Sequence, residues 1–276
     1  MSDDFSAWIG RSETMSDTLE PARTNALCVA LGDAPVGHGA PLPLLYHWLY
    51  FWEVKPPEGL GVDGHPARGG FLPPVPLPRR MWAGGRLKFL QPLLVGERVT
   101  RTSTILDVKA KSGKSGTLVF VTVQHELAGG RGLAVVEEQD IVYREAAAAD
   151  SIGAPVVGGE APQATWRRDI MPDTILLFRY SALTMNGHRI HYDRPYAKEE
   201  EAYPALVVHG PLQATLLMDI AAKHVGVPIT GFDFRGQAPA FDGTVLHVCG
   251  DKTNDGASVW TQQGATKNMV ATVLCG

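Results

Sequence analysis

The stretch from Arg86 to Arg144 constrains the fold most. Four β-rich runs, RLKF, ERVTRTSTILDVKAK, TLVFVTVQHEL and LAVVEEQDIVYR, follow one another there, divided by Gly113, Gly116 and the pair Gly129-Gly130. Apolar residues at strand spacing, punctuated by glycine turns, predict an antiparallel meander. Downstream, GFDFRGQAPAF, GTVLHVCGD, ASVWTQQG and MVATVLCG read as further short strands. Before them, YPALVVHGPLQATLLMDIAAKHVG predicts the one long buried helix, opened by Gly210 and Pro211 and closed near Gly226, with Leu212, Leu216, Leu217 and Ile220 recurring inside it. A shorter helix is predicted from Pro21 to near Gly32, its apolar side holding Ala26, Leu27 and Leu31. One helix and several strands in each half suggest two similar helix-and-sheet domains.

Between the first helix and the meander, Gly37 to Gly85 is rich in proline and aromatics. The prolines of FLPPVPLPRRMWAGG argue against a central strand, while Tyr46, Trp48, Tyr50, Phe51 and Trp52 need packing partners. A packed loop is expected. The domain boundary is expected between Glu145 and Gln163, where alanine, glycine and proline replace the periodic pattern, so that residues 1–150 and 151–276 form two halves. With 45% hydrophobic residues, a chain of 276 residues can build such cores without disulfide staples or a structural metal.

Charge narrows the partners. Lys plus Arg total 25 against 29 acidic residues, a net charge of −4 with no basic block, so no nucleic-acid surface is expected. No apolar run reaches the length of a membrane span, and the acidic start lacks a secretory pattern. Cys28, Cys249 and Cys275 are scattered, which reads as reduced thiols and a cytoplasmic location.

The densest polar group is NGHRIHYD, with Asn186, His188, His191 and Asp193, preceded by Ser181 and Thr184 and followed by His209. Imidazoles carry protons near neutral pH. Three readings stay open on spacing alone: a hydrogen-bonded structural cluster, a proton-transfer site, or a metal site using His188, His191 and Asp193 with His209 closing the set. The spacing does not reproduce the HExxH arrangement of helical zinc sites. At VVHG, the start of the long helix offers backbone amides to an oxyanion, and Gly210 permits close approach. No dinucleotide, P-loop or nucleophile-elbow signature occurs in a suitable setting.

RYSALTMNGHRIHYD and YPALVVHGPL resemble the MaoC-like hydratase/dehydratase families of hotdog folds. WIGR, HPARGGFLPPVPLPRRMWAGGRLKF and LVFVTVQHEL through EEQDIVYR resemble their noncatalytic N-terminal domain, the FAS1-like dehydratase domain. Together they resemble the hydroxyacyl-thioester dehydratase type 2 and mesaconyl-CoA or itaconyl-CoA hydratase branch. The resemblance implies an α+β double hotdog: two antiparallel sheets, each wrapped around a central helix, with the catalytic motif in the second half. It also implies reversible hydration of an enoyl thioester, with a small branched dicarboxyl substrate on coenzyme A. A 3-hydroxyacyl carrier-protein dehydratase and a noncatalytic acyl-thioester binder are the alternatives, and a homodimer is expected.

In the family's D-x-N-x-x-H pattern, the aspartate position here holds Asn186, the asparagine position holds His188, and the histidine is kept as His191. An amide cannot act as a carboxylate base, so His191 is assigned the proton transfer, Asn186 an orienting role and His188 a second acid/base role. Gly210 is the oxyanion candidate, and Tyr180, Ser181 and Thr184 are expected to shape the pocket. Arg79, Arg80, Arg86 and Lys88 are candidates for the coenzyme A phosphates, with Arg189 and Arg194 as alternatives. This chemistry requires neither a redox cofactor nor a catalytic metal, and coenzyme A belongs to the substrate.

Overall fold

A computed structural model describes residues 5–113, 116–145 and 162–276. The expected boundary segment falls mainly on residues 146–161, outside the described residues. The first half contributes β1 (Ser12–Thr18), α1 (Pro21–Ala30), β2 (Arg79–Phe89), β3 (Arg98–Gly113), β4 (Gly116–Gly129) and β5 (Gly132–Arg144). The second contributes β6 (Trp166–Ile170), α2 (Thr174–Thr184), α3 (Arg194–Glu199), α4 (Gly210–His224), β7 (Ile229–Gly236), β8 (Leu246–Thr253), β9 (Gly256–Gln263) and β10 (Thr266–Cys275).

The predicted meander forms as β3-β4-β5, all antiparallel. The α+β hotdog class is the one adopted, but its two sheets are continuous. Ten strands run in the order β1-β3-β4-β5-β2-β7-β10-β9-β8-β6. The seam is the antiparallel pair β2–β7, from Gly84 opposite Arg235 to Lys88 opposite Gly231. Gly84 and Gly85 make that approach feasible: a Cβ on Gly84 would lie 2.5 Å from the Phe234 carbonyl oxygen, and one on Gly85 3.0 Å from the Phe234 ring, as well as 2.8 Å from the Glu138 carbonyl oxygen on the β5 side. The strand begins at Arg79, immediately after the last proline of the Pro-rich segment, so the proline rule stops one residue short of it.

The helices are unequal. In α4, Leu212, Ala214, Leu216, Leu217, Met218, Ile220 and Ala221 are all buried, because the second half's strands curve around it. An apolar surface on nearly every side suits a helix enclosed by a sheet. By contrast, α1 is shorter and packs on α2. Thr24, Leu27 and Cys28 are its buried residues, whereas the expected Ala26 is exposed. The concave side of the first sheet is covered instead by the aromatic segment. There Tyr46, Leu49, Tyr50 and Phe51 are buried, and His47 and Trp48 each donate to the buried Glu137 carboxylate at 2.9 Å. Those two bonds offset much of the desolvation of a charge inside a sheet. No helix among the described residues is long and apolar enough to cross a membrane.

The seam yields a stability prediction. Gly84→Val should destabilise the protein by about 3 kcal/mol, the upper part of the usual range for overpacking, because its neighbour is backbone and cannot swing away. Gly130→Val, where a Cβ would meet nothing within 4 Å, should cost much less. Urea midpoints of the two variants check this.

Candidate active site

A cavity of about 800 Å³ lies where the halves meet. The sequence folds Asn186, His188 and His191 onto its wall in three steps. First, α2 ends at Thr184, and Met185 adopts a left-handed conformation that turns the chain sharply. Second, the Asn186 side-chain Oδ1 accepts from the His188 amide at 3.0 Å, closing a local turn. Third, the turn Arg189–His191 is tied to the chain before α4, since the Val207 amide donates to the Ile190 carbonyl at 3.0 Å.

His191 is thereby buried at the cavity wall. Its Nδ1–H donates to the Val207 carbonyl at 2.7 Å, which leaves Nε2 with the lone pair of a neutral ring. The His209 ring stacks on it, centroids 3.7 Å apart, and shares a 2.8 Å hydrogen bond with the Ser181 hydroxyl. Burial, and then the neighbouring imidazoles, hold His191 well below its ordinary range, while burial takes His209 down to about 3. Both rings are uncharged at neutral pH. On the other side, His188 meets the Glu201 carboxylate at 3.3 Å, and its ring lies 4.3 Å from that of His65.

His65 was not legible as a site residue. It comes from the first half, on a loop pinned to the second. The Arg189 amide donates to the Asp63 carbonyl at 2.9 Å, and its guanidinium to the Val62 carbonyl at 3.1 Å. Two glycines meet at the junction: a Cβ on Gly64 would sit 2.0 Å from the Gly187 carbonyl oxygen, and one on Gly187 2.5 Å from that of Gly64. This contact brings Asp63 and His65 into the cavity beside Asn186, His188 and His191. The Asp63 carboxylate accepts from His65 Nδ1 at 3.2 Å. The only local signal was the D-G-H turn pattern, which nothing in the sequence connects to Asn186.

The sequence-based metal set is not assembled. Asp193 caps α3 through the Tyr196 amide and pairs with Arg189 at 2.7 Å, while His209 is turned to Ser181. A different trio, Asp63, His65 and His188, places one donor atom each within 4.8 Å of one another. Gly210, Arg79 and Arg80 line the cavity. Tyr180, Ser181 and Thr184 lie behind its wall: Tyr180 packs edge-on to His209, Ser181 bonds it, and the Thr184 hydroxyl donates to the Tyr180 carbonyl at 2.7 Å.

Four cationic candidates lie elsewhere. Arg86 forks onto Asp140 and also bonds Glu138 on the exposed side of β2, and Lys88 is exposed on the same strand. Arg189 is committed to Asp193, and Arg194 to Asp242. Strand alternation explains the first two, because residues 86 and 88 take the face opposite Leu87.

A family model for hydroxyacyl-thioester dehydratase type 2 matches residues 45–242. The chain belongs to that family. It is a catalytic hydratase/dehydratase of the hotdog class. The mesaconyl-C(4)-CoA hydratase of Chloroflexus aurantiacus is 47% identical over 99% of this chain and 98% of that protein. Hydroxyacyl-thioester dehydratases type 2 of Schizosaccharomyces pombe and Saccharomyces cerevisiae are 29% and 26% identical, covering 76% and 88% of this chain and 78% and 87% of theirs. Both yeast proteins are mitochondrial, which overturns the cytoplasmic expectation. Reduced thiols do not distinguish one reducing compartment from another. Among solved structures, Mycobacterium tuberculosis HtdX superposes with a TM-score of 0.68 at 16% identity, covering 96% of this chain and 100% of that one, a likeness of fold.

Uncharged buried histidines predict an acid-sensitive fold. Burial holds His65 and His125 down to about 4 and His209 down to about 3, whereas an unfolded histidine titrates near 6.5. Between these values the unfolded chain binds protons that the folded chain refuses, so stability falls as pH drops from about 6.5 to about 4. Each such group adds up to about 1.4 kcal/mol per pH unit. Glu137, held down to about 2 chiefly by His47 against its burial, stays ionised across this window. Urea unfolding at pH 7.5, 6, 5 and 4 measures the slope; a flat profile contradicts the assignment.

Proposed function

We propose that this protein hydrates the double bond of a coenzyme A thioester of a small branched dicarboxylic acid, of the mesaconyl or itaconyl type, and catalyses the reverse dehydration. The observation carrying this reading is the end-to-end similarity to the Chloroflexus mesaconyl-C(4)-CoA hydratase. The cavity supports it, since the histidine retained from the family pattern stands in its wall beside the start of α4. In this reading residues 151–276 carry the retained motif and residues 1–150 form the companion half.

The thioester carbonyl is placed over the first turn of α4. Among the described residues the Gly210 amide makes no backbone hydrogen bond, and the positive end of the helix favours charge developing on the thioester oxygen. In hydration, His191 Nε2 takes a proton from water as the water oxygen bonds to the β-carbon and the π pair moves toward the thioester oxygen. The imidazolium then gives a proton to the α-carbon and returns to the neutral ring. Asn186, its Oδ1 occupied by the His188 amide, turns its side-chain nitrogen to the water. Glu201 through His188 and Asp63 through His65 bring negative charge near the transient imidazolium, a service that the asparagine at position 186 cannot perform.

That asparagine favours a second reading, an acyl-thioester binder without turnover. The test is a panel of enoyl-coenzyme A and carrier-protein thioesters followed by loss of enoyl absorbance, before and after treatment with a chelator. Turnover of dicarboxyl coenzyme A esters is expected, and binding without turnover supports the second reading. His191→Ala should retain the fold and lose about two to four powers of ten in turnover. Asn186→Ala should lose less. Near-normal rates from a folded His191→Ala contradict the mechanism. Size-exclusion chromatography tests the expected homodimer.

A further inference from the structure

Arg80 and Tyr143 stand directly opposite each other on β2 and β5, and both side chains line the cavity. Tyr143 is fully buried, and its hydroxyl lies beside the Arg80 guanidinium without completing a well-formed hydrogen bond among the described residues. A phenylalanine would fill the same space without the standing cost of an unpaired buried hydroxyl. Arg80 presents a guanidinium with no carboxylate within ion-pair distance among the described residues. Its neighbours are satisfied: Arg79 by the Glu201 carboxylate and carbonyl, Arg68 by the carbonyls of Val75 and Pro78.

Resting on the substrate class proposed above, we infer that Arg80 and Tyr143 form the receptor for the free carboxylate of the acyl group. The guanidinium matches two carboxylate oxygens, and the phenol donates to one of them. The position suits a carboxylate borne close to the reacting double bond. Burial holds the Tyr143 phenol above its ordinary range and His65 below its own, Arg80 is near enough to act on both, and His65 abuts His188 in the proton-transfer cluster. Asp63 does not compete for the guanidinium, because its oxygens are taken by the amide and ring of His65. A neutral acyl group would leave Arg80 and Tyr143 with only each other for partners, which is how such a receptor discriminates.

The experiment compares a dicarboxyl thioester, mesaconyl-C4-CoA, with 3-methylcrotonyl-CoA, which carries a methyl group where the former has its carboxylate. Wild-type protein, Tyr143→Phe and Arg80→Met are measured on both, with melting temperatures to verify folding. Each variant should lower the ratio of kcat/KM for the dicarboxyl over the neutral thioester by about 10- to 100-fold, mainly through KM of the dicarboxyl ester. Tyr143→Phe removes one oxygen and keeps the packing, so its result stands even if Arg80→Met folds poorly. An unchanged ratio overturns the receptor. So does an equal loss on both esters, the signature of Arg80 binding the phosphates of coenzyme A, which both substrates carry. If wild-type protein hydrates only neutral thioesters, the substrate class itself fails. If it hydrates the dicarboxyl ester and the variants leave the ratio unchanged, only the receptor fails.

Discussion

The close pairing of β2 with β7 through Gly84 and Gly85 is the contact on which the rest of the molecule depends. It joins two five-stranded halves into one sheet and so sets the distance between the first half's loops and the second half's helices. Only at that distance do Gly64 and Gly187 touch, and only through that touch does the Asp63–His65 pair reach His188. Four glycines, two in a strand and two in loops, therefore act as spacers. None is needed for its own chemistry, and a single methyl at three of these positions would place a carbon within about 2.5 Å of a carbonyl oxygen.

The cluster assembled there is unusual for its lack of a carboxylate at position 186. His65, His188, His191 and His209 pack ring against ring. Neutral imidazoles can stack in a dry interior, whereas a proton on one raises the energy of protonating the next. The carboxylates that moderate this repulsion, Asp63 from the first half and Glu201 from just beyond α3, contact His65 and His188 rather than His191. His191 thus stays uncharged, with its Nδ1 fixed by the Val207 carbonyl. Negative charge stands one ring away.

The first half is more than a companion to the second. Where the second half fills its sheet with α4, the first covers its own with an aromatic segment anchored on Glu137. A loop covering in place of a long helix leaves the walls around Arg80, Ile141 and Tyr143 open to the shared cavity. The wall of that cavity contributed by the first half is therefore built from sheet residues.

Much of this was determined by local pattern. The glycine-punctuated runs specify β3, β4 and β5 because strand alternation and turn chemistry act over a few residues. The length and apolar character of α4, with proline at its start, marked an enclosed helix. The family motif singled out Asn186, His188 and His191 and showed that the aspartate was missing. Strand β6 and the first residues of β2 escaped notice, since one is short and the other emerges directly from prolines. The arginines could not be sorted by sequence either: residues 79, 80 and 86 look alike in a line, and strand alternation alone would put 80 and 86 on one face, but the register shift between Trp82 and Gly84 sends Arg80 to the cavity and Arg86 to solvent. Tertiary structure alone decided that Asp63, His65 and Tyr143 line the same cavity as Asn186, His188 and His191. Their neighbours lie across sheet pairings and a glycine contact spanning more than 120 residues, and no periodicity within either segment encodes a contact with the other.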